Sequence, residues 1–135
     1  MAHAGSTTIS VRVRYPECDP MGVAHHATYP VWLEIARTEL LREQGEAYRA
    51  LEEAGVYFVV ARLSLRYKRP AHYDDELDIT VTCGPSAGVK LHHHYEVRRG
   101  GELLATAETT LACVDGDGRL RPVPEGLLSP RSTPG

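Results

Sequence analysis

The sequence predicts an α+β domain in which one antiparallel sheet packs against one long helix. Three observations predict it. Five segments alternate apolar and polar residues with the period of a strand, one segment carries a helical stripe, and the later strands are joined by short glycine-rich links. Composition agrees: of 135 residues, 42% are apolar and 24% charged, the balance of a single soluble core and not of a disordered chain. A chain of this length hides roughly two thirds of its unfolded surface, enough to fold without a disulfide or metal staple.

Thr7 to Tyr15 is the first strand, with Ile9, Val11, Val13 and Tyr15 on one face and Ser10, Arg12 and Arg14 on the other. Pro16 to Gly22 follows, where two prolines, a glycine and an Asp-Pro step forbid regular structure and predict a rigid, turn-rich loop. From His26 to Glu43 the period changes, and Tyr29, Trp32, Leu33, Ala36 and Leu40 form the stripe of an amphipathic helix. Pro30 fits only in a first helical turn, so the helix starts between His26 and Tyr29; Gly45 ends it. A short second helix is expected over Glu46 to Ala54, stopped by Gly55.

Tyr57, Val59, Ala61, Leu63, Leu65 and Tyr67 then alternate with a largely polar set containing Arg62, Ser64, Arg66 and Lys68, which predicts a long strand covered on one face and ending at Pro70. Leu77 to Cys83, Val89 to Val97 and Leu103 to Cys113 complete the strands. Gly84-Pro-Ser-Ala-Gly88 and Gly100-Gly101 are links suited to antiparallel neighbours, so the last four strands are expected to run as a meander. Residues 1–128 are expected to form one domain and residues 129–135 a disordered tail.

The formal charge of −3, from 15 Lys plus Arg against 18 Asp plus Glu, argues against binding to bulk nucleic acid or to an anionic membrane. Three cysteines without C-x-x-C spacing argue against a disulfide framework or a zinc ribbon and fit a reducing cytoplasm. Met1 to Thr8 lacks the apolar core of a secretory signal, and the longest apolar run, Val56 to Ala61, is far too short to span a membrane.

Tyr15 to Tyr29 concentrates the chemistry: a carboxylate, two histidines and a helix N-terminus within fifteen residues. The first N–H groups of a helix have no intrahelical partner and lie at the positive end of its dipole, so those of His26 to Tyr29 are candidates to hold an oxyanion. Asp19, braced by prolines just upstream, is placed to attack a carbonyl carbon or to activate a water. The plain alternative is that Asp19 is a turn or cap residue, as an Asp beside a proline most often is.

Cys18-Asp-Pro-Met-Gly-Val23, followed by Tyr29, Trp32-Leu-Glu34 and Ala36-Arg37, resembles the signature of hotdog-fold acyl-CoA thioesterases of the 4-hydroxybenzoyl-CoA thioesterase type. The similarity continues through Tyr67-Lys-Arg-Pro-Ala-His-Tyr-Asp-Asp-Glu-Leu77 and covers roughly residues 8 to 125. It implies a hotdog fold, a sheet wrapped around a long helix, with sites at a dimer interface. It implies Asp19 as the catalytic carboxylate, an oxyanion-binding N–H at or beside His26, and substrate contacts at Gly22, Val23, Ala27 and Tyr29. No metal or other cofactor is implied. Where members acting on aromatic substrates carry an aromatic pair before the helix, this chain has His25-His26, and His26 resembles the branch acting on short or generic acyl-CoAs.

The His26 imidazole is a candidate to polarise the carbonyl, transfer a proton or bind water; alternatively it only caps the helix. Glu34 corresponds to the carboxylate that a second hotdog branch uses, but with Asp19 present its expected role is an ion pair with Arg37 at helical spacing. His92 and His94 share a strand face and read as a solvated polar face. Cys18 has no identified His–Asn partners and reads as a packing residue. Arg62, Arg66, Lys68, Arg69, Lys90, Arg98 and Arg99 are candidate cations for CoA phosphates, with Arg62, Lys68 and Arg69 singled out.

The leading expectation is an acyl-CoA thioesterase releasing free acid and CoA, a homodimer through exposed sheet edges that assembles into a homotetramer. A non-catalytic acyl-CoA or acyl-carrier binding module would keep the cations and need no Asp19. A hydratase or dehydratase would need a His and an acid placed for C–H proton transfer, and the Cys-Asp-Pro-x-Gly loop before the helix disfavours it.

Overall fold

In a computed structural model, the structure describes residues 5–43, 50–51, 53–124 and 127. The expected helix over 46–54 lies mostly outside these residues, and the tail over 129–135 lies wholly outside them.

The described elements are β1 (Ser6–Arg12), α1 (Tyr29–Arg42), β2 (Tyr57–Tyr67), β3 (Glu76–Cys83), β4 (Lys90–Arg99) and β5 (Glu102–Val114). The five strands form one antiparallel sheet in the order β1-β3-β4-β5-β2, with α1 laid over the β1 and β3 side. This is the hotdog arrangement that the motif resemblance implies. Only β3, β4 and β5 run as a meander, because β1 occupies the free edge of β3 and sends β2 to the opposite edge beside β5. The segment from Lys68 to Asp75 therefore crosses the end of the sheet, and that crossing carries it to the loop containing Asp19.

A single turn of 3-10 helix, His26–Thr28, leads into α1, and Pro30 sits in the first turn of α1, where its missing N–H breaks no ladder. The helix buries Tyr29, Trp32, Leu33, Ala36, Leu40 and Leu41 against Leu77, Ile79 and Val81 of β3, Leu91, Tyr95 and Val97 of β4, and Ala105, Ala107 and Leu111 of β5. Each large apolar side chain so buried contributes roughly 1.5–3 kcal/mol. Among the described residues no helix is long and apolar enough to cross a membrane.

Two expectations about strands are corrected. The first strand ends at Arg12, not Tyr15: the Val13 N–H donates to the Asp75 carbonyl oxygen at 2.9 Å, and Tyr15–Glu17 turns into a 3-10 helix, leaving Tyr15 78% exposed. The long strand β2 does not keep one apolar face. A register shift between Val60 and Arg62 makes Ala61 a bulge, so Phe58 and Val60 share the inner face with Leu63, Leu65 and Tyr67, while Tyr57 and Val59 point outward with Arg62, Ser64 and Arg66. Nor is that inner face covered: Val60, Leu63 and Tyr67 stay exposed.

Candidate active site

The loop between β1 and α1 is a closed structure built around Asp19. Cys18 and Ala24 form an antiparallel bridge, the Asp19 N–H donates to the Val23 carbonyl oxygen at 2.9 Å, and the Gly22 N–H donates to that of Asp19 at 2.9 Å. Gly22 makes this turn at φ +78°, a conformation in which a side chain is strained. Inside the turn, Oδ1 of Asp19 accepts from the Met21 N–H at 2.9 Å and the Val23 N–H at 3.2 Å. Its Oδ2 has no hydrogen-bond partner among the described residues. Asp19 is thus a turn residue by one oxygen and open to chemistry by the other.

The loop is clipped from two sides. The Ala24 N–H donates to the Ala71 carbonyl oxygen at 2.7 Å and the Tyr73 N–H to that of Gly22 at 3.0 Å, so the crossing segment is zipped to the turn. On the other side, the His25 N–H donates to the Glu17 carbonyl oxygen at 2.7 Å and the Thr28 hydroxyl donates to it at 3.3 Å. Asp19 lines a groove of about 830 Å³ together with Tyr15, Pro16, Cys18, Pro20, Gly22 and Tyr73, within the range of small-molecule sites. Tyr15 and Tyr73 meet edge to face, with ring centroids 5.9 Å apart. Neither strand alternation nor the motif pointed to this pair, which depends on the crossing segment.

At the entrance to α1 the backbone donors are unevenly used. His25 is the cap: its Nδ1 accepts from the Ala27 N–H at 3.1 Å, and its carbonyl oxygen accepts from the Thr28 N–H at 2.9 Å. The His26 N–H donates to no protein group among the described residues, which makes it the free donor of this turn. The capping imidazole is therefore that of His25; the exposed His26 ring stacks on it with centroids 4.3 Å apart and makes no side-chain hydrogen bond among the described residues. The Tyr67 hydroxyl donates to the His26 carbonyl oxygen at 3.0 Å.

The thioesterase-like superfamily model matches residues 13–130, nearly the whole described domain. The chain belongs to the thioesterase-like superfamily. It is 38% identical over 106 residues to the acyl-CoA thioester hydrolase YbgC of Escherichia coli O6:H1, covering 78% of this chain and 79% of that protein. Its fold superposes on protein TT1821 of Thermus thermophilus with a TM-score of 0.82 at 35% identity, covering 89% of this chain and 92% of that one. The DHNA-CoA thioesterase of Staphylococcus aureus matches with a TM-score of 0.78 at 28% identity, over 87% and 79% of the two chains.

The other sequence-derived candidates of this thioesterase-family enzyme are spread over the molecule. Of the expected substrate contacts, only Gly22 shares the Asp19 groove. Val23 is on the same loop, Ala27 is exposed in the 3-10 turn, and Tyr29 is buried against Trp32 and Tyr67. Arg62 and Lys68 are exposed on and just after β2, and Arg69 pairs with Glu102 at 3.2 Å. Burial, then the nearby charges of Asp19 and Glu17, push the Cys18 thiol up, which keeps it from being a ready thiolate.

Glu34 does not make the expected pair with Arg37: the Arg37 guanidinium turns inward and donates to the Tyr95 hydroxyl at 3.1 Å, which shares a hydrogen bond with the Thr109 hydroxyl at 2.7 Å. Beside this network lies His93, 3% exposed, whose Nδ1 has no hydrogen-bond partner among the described residues. Burial, with smaller contributions from Arg37 and His92, holds its pKa down to about 4. His92 and His94 point to the outer face, His92 Nδ1 lying 3.1 Å from the Thr110 hydroxyl.

Proposed function

We propose that this chain is an acyl-CoA thioesterase in which Asp19 is the nucleophile or general base and the His26 N–H holds the oxyanion. The observation that carries the reading is the division of labour within the Asp19 carboxylate: Oδ1 is tied to two backbone N–H groups of a braced turn, while Oδ2 is unengaged at a ligand-sized groove. A carboxylate held this way keeps its aim without spending both oxygens on structure.

In the proposed reaction the thioester carbonyl oxygen is polarised by the His26 N–H at the positive end of the helix entrance. Oδ2 of Asp19 either attacks the carbonyl carbon, forming an anhydride that water then cleaves, or takes a proton from a water that attacks. Collapse of the tetrahedral intermediate expels the CoA thiolate, a good leaving group that has little need of a dedicated acid. Val23, Ala27 and Tyr29 are proposed to shape the substrate's path, Val23 and Ala27 through their place in the loop and turn, and Tyr29 by supporting the first turn of α1 from beneath.

The reading extends to a homodimer that assembles further into a homotetramer in the cytoplasm. Support for the dimer is the exposed apolar side of β2, with Val60, Leu63 and Tyr67, which a second copy at the β2 edge would bury. Three unpaired cysteines accord with a reducing compartment.

The test is thiol release from acetyl-, hexanoyl-, palmitoyl- and benzoyl-CoA, with mass in solution measured on the same preparation. Turnover of at least one ester by an oligomer supports the reading. Binding of CoA esters without thiol release contradicts it.

A further inference from the structure

Resting on the acyl-CoA reading above, we propose that Arg99 and Asp75 are a positioning pair for the reaction: their ion pair sets the aim of the Asp19 carboxylate through the crossing segment. Neither residue lines the Asp19 groove. Arg99, a candidate cation for phosphates from sequence, instead turns its guanidinium to the protein. It donates to Asp75 Oδ2 at 2.6 Å, to the Pro70 carbonyl oxygen at 3.3 Å and to Glu102 Oε1 at 2.7 Å. Burial disfavours ionisation of Asp75, but the His72 N–H and the Arg99 guanidinium outweigh it and hold the carboxyl below its usual value.

Two peptide units carry the effect to Asp19. The unit joining Gly22 to Val23 donates its N–H to Oδ1 of Asp19 at 3.2 Å, and its carbonyl oxygen accepts from the Tyr73 N–H at 3.0 Å. The unit joining Val23 to Ala24 accepts from the Asp19 N–H at 2.9 Å, and its own N–H donates to the Ala71 carbonyl oxygen at 2.7 Å. Each unit is planar and rigid, so a shift of residues 71–73 on one side turns the groups that hold Asp19 on the other. Hydrogen bonds on the two sides of one amide also strengthen each other.

Arg99 holds that segment at both ends, at Pro70 before Ala71 and at Asp75 after Tyr73. Between these anchors the chain is constrained: Asp74 takes a left-handed backbone at φ +73°, which surrounding bonds must maintain. The Asp74 N–H donates to the Val13 carbonyl oxygen and the Val13 N–H to that of Asp75, both at 2.9 Å, while the His72 N–H donates to Asp75 Oδ2 at 2.8 Å. Glu102 fixes the far side of the Arg99 fork, and its other oxygen meets Arg69 Nε at 3.2 Å, so the guanidinium is oriented from both sides. The Arg99 and Asp75 side chains are 29% and 23% exposed, where a charge pair is screened less than on an open surface.

The plain alternative is a stabilising network that leaves the aim of Asp19 untouched. The test measures thiol release, on the acyl-CoA that the wild type hydrolyses fastest, and amide hydrogen exchange in Arg99→Gln, Asp75→Asn and Arg99→Lys. In the first two, kcat is expected to fall about tenfold or more with KM within about twofold, since aim matters in the transition state. Arg99→Lys, which keeps the charge but lacks the fork, should fall between them and the wild type. Exchange at the Ala24 and Tyr73 amides should quicken about tenfold or more in Arg99→Gln, with the amides of α1 at wild-type rates. Lower thermal stability with kcat and those two exchange rates unchanged makes the network merely structural and overturns the proposal. A change confined to KM also overturns it. If Arg99→Gln does not fold, Asp75→Asn carries the same reading, because its amide oxygen still accepts from the His72 N–H. Failure of the wild type to release thiol would instead overturn the thioesterase reading, and exchange at Ala24 and Tyr73 would still decide whether the pair holds the Asp19 turn.

Discussion

The Tyr67 hydroxyl donates to the His26 carbonyl oxygen across 3.0 Å, tying the last residue of β2 to the turn that opens α1. The bond bears on the peptide unit following His26 and steadies the turn in which the free His26 N–H lies. Tyr67→Phe keeps the ring packed edge to face on Tyr29 and removes only the donor. The expected outcome is about 1 kcal/mol less stability in urea unfolding, with kcat falling more than KM changes, because a donor to the oxyanion acts in the transition state.

Gly22 makes the Asp19 turn at φ +78° with open space around its Cα, so a methyl group there meets no neighbour and acts through the backbone alone. Gly22→Ala is expected to cost about 1 kcal/mol or more of stability and to loosen the two N–H groups that hold Oδ1. Thermal unfolding and steady-state kinetics measured together check this: activity should fall at temperatures where the variant remains fully folded.

His93 predicts a pH dependence of stability. Its folded pKa of about 4 lies below the ordinary 6.5, so the unfolded chain binds the proton more readily. The stability is fully present above about pH 6.5 and drains away as pH falls toward 4; at about 1.4 kcal/mol per pH unit the window is worth about 3 kcal/mol. The ring faces Arg37 of α1, Tyr95 on its own strand and Thr109 of β5, and the charges of Arg37 and the adjacent His92 oppose its protonation. In His93→Leu the slope of unfolding free energy over that window should flatten, while the loss at lower pH from Asp75 and Glu102, whose folded pKa values are lowered, should persist.

The exposed apolar side of β2 predicts an effect on assembly. Leu63→Asp places a charge in the middle of the exposed apolar side of β2, and in an ordinary exposed position it would cost within about 0.5 kcal/mol of monomer stability. Sedimentation velocity should show a shift to a smaller species. A variant that sediments as the wild type does would place the partner elsewhere.

Much of the fold was legible because strand and helix periods are local. The phase change in β2 was not: Ala61 is apolar, so an extra residue passes unnoticed in Val59-Val60-Ala61, and Tyr57 and Val59 fall on the wrong face. The sheet order was hidden for a different reason, since the Lys68–Asp75 crossing is distinguished from a hairpin link by long-range bonds such as those to Val13, Gly22 and Ala24. Of the candidate site, Asp19 and the helix entrance were visible through motif and capping chemistry. The Tyr15–Tyr73 pair was not, because 58 positions of sequence separate two residues that the sheet brings to one groove. His93 was masked by its neighbours: in His92-His93-His94 the alternation that buries the middle residue is invisible by residue type.

The central claim is that Asp19 performs the chemistry, and the most direct measurement is thiol release by Asp19→Asn beside wild type, with both matched for folding. Asparagine preserves an Oδ1 acceptor for the Met21 and Val23 N–H groups while removing the charge, so turn and reaction are separated. The account predicts a loss of about a hundredfold or more in kcat, the range for losing a catalytic base, with little change in thermal stability. A variant as active as the wild type would make Asp19 a turn residue only and contradict the account.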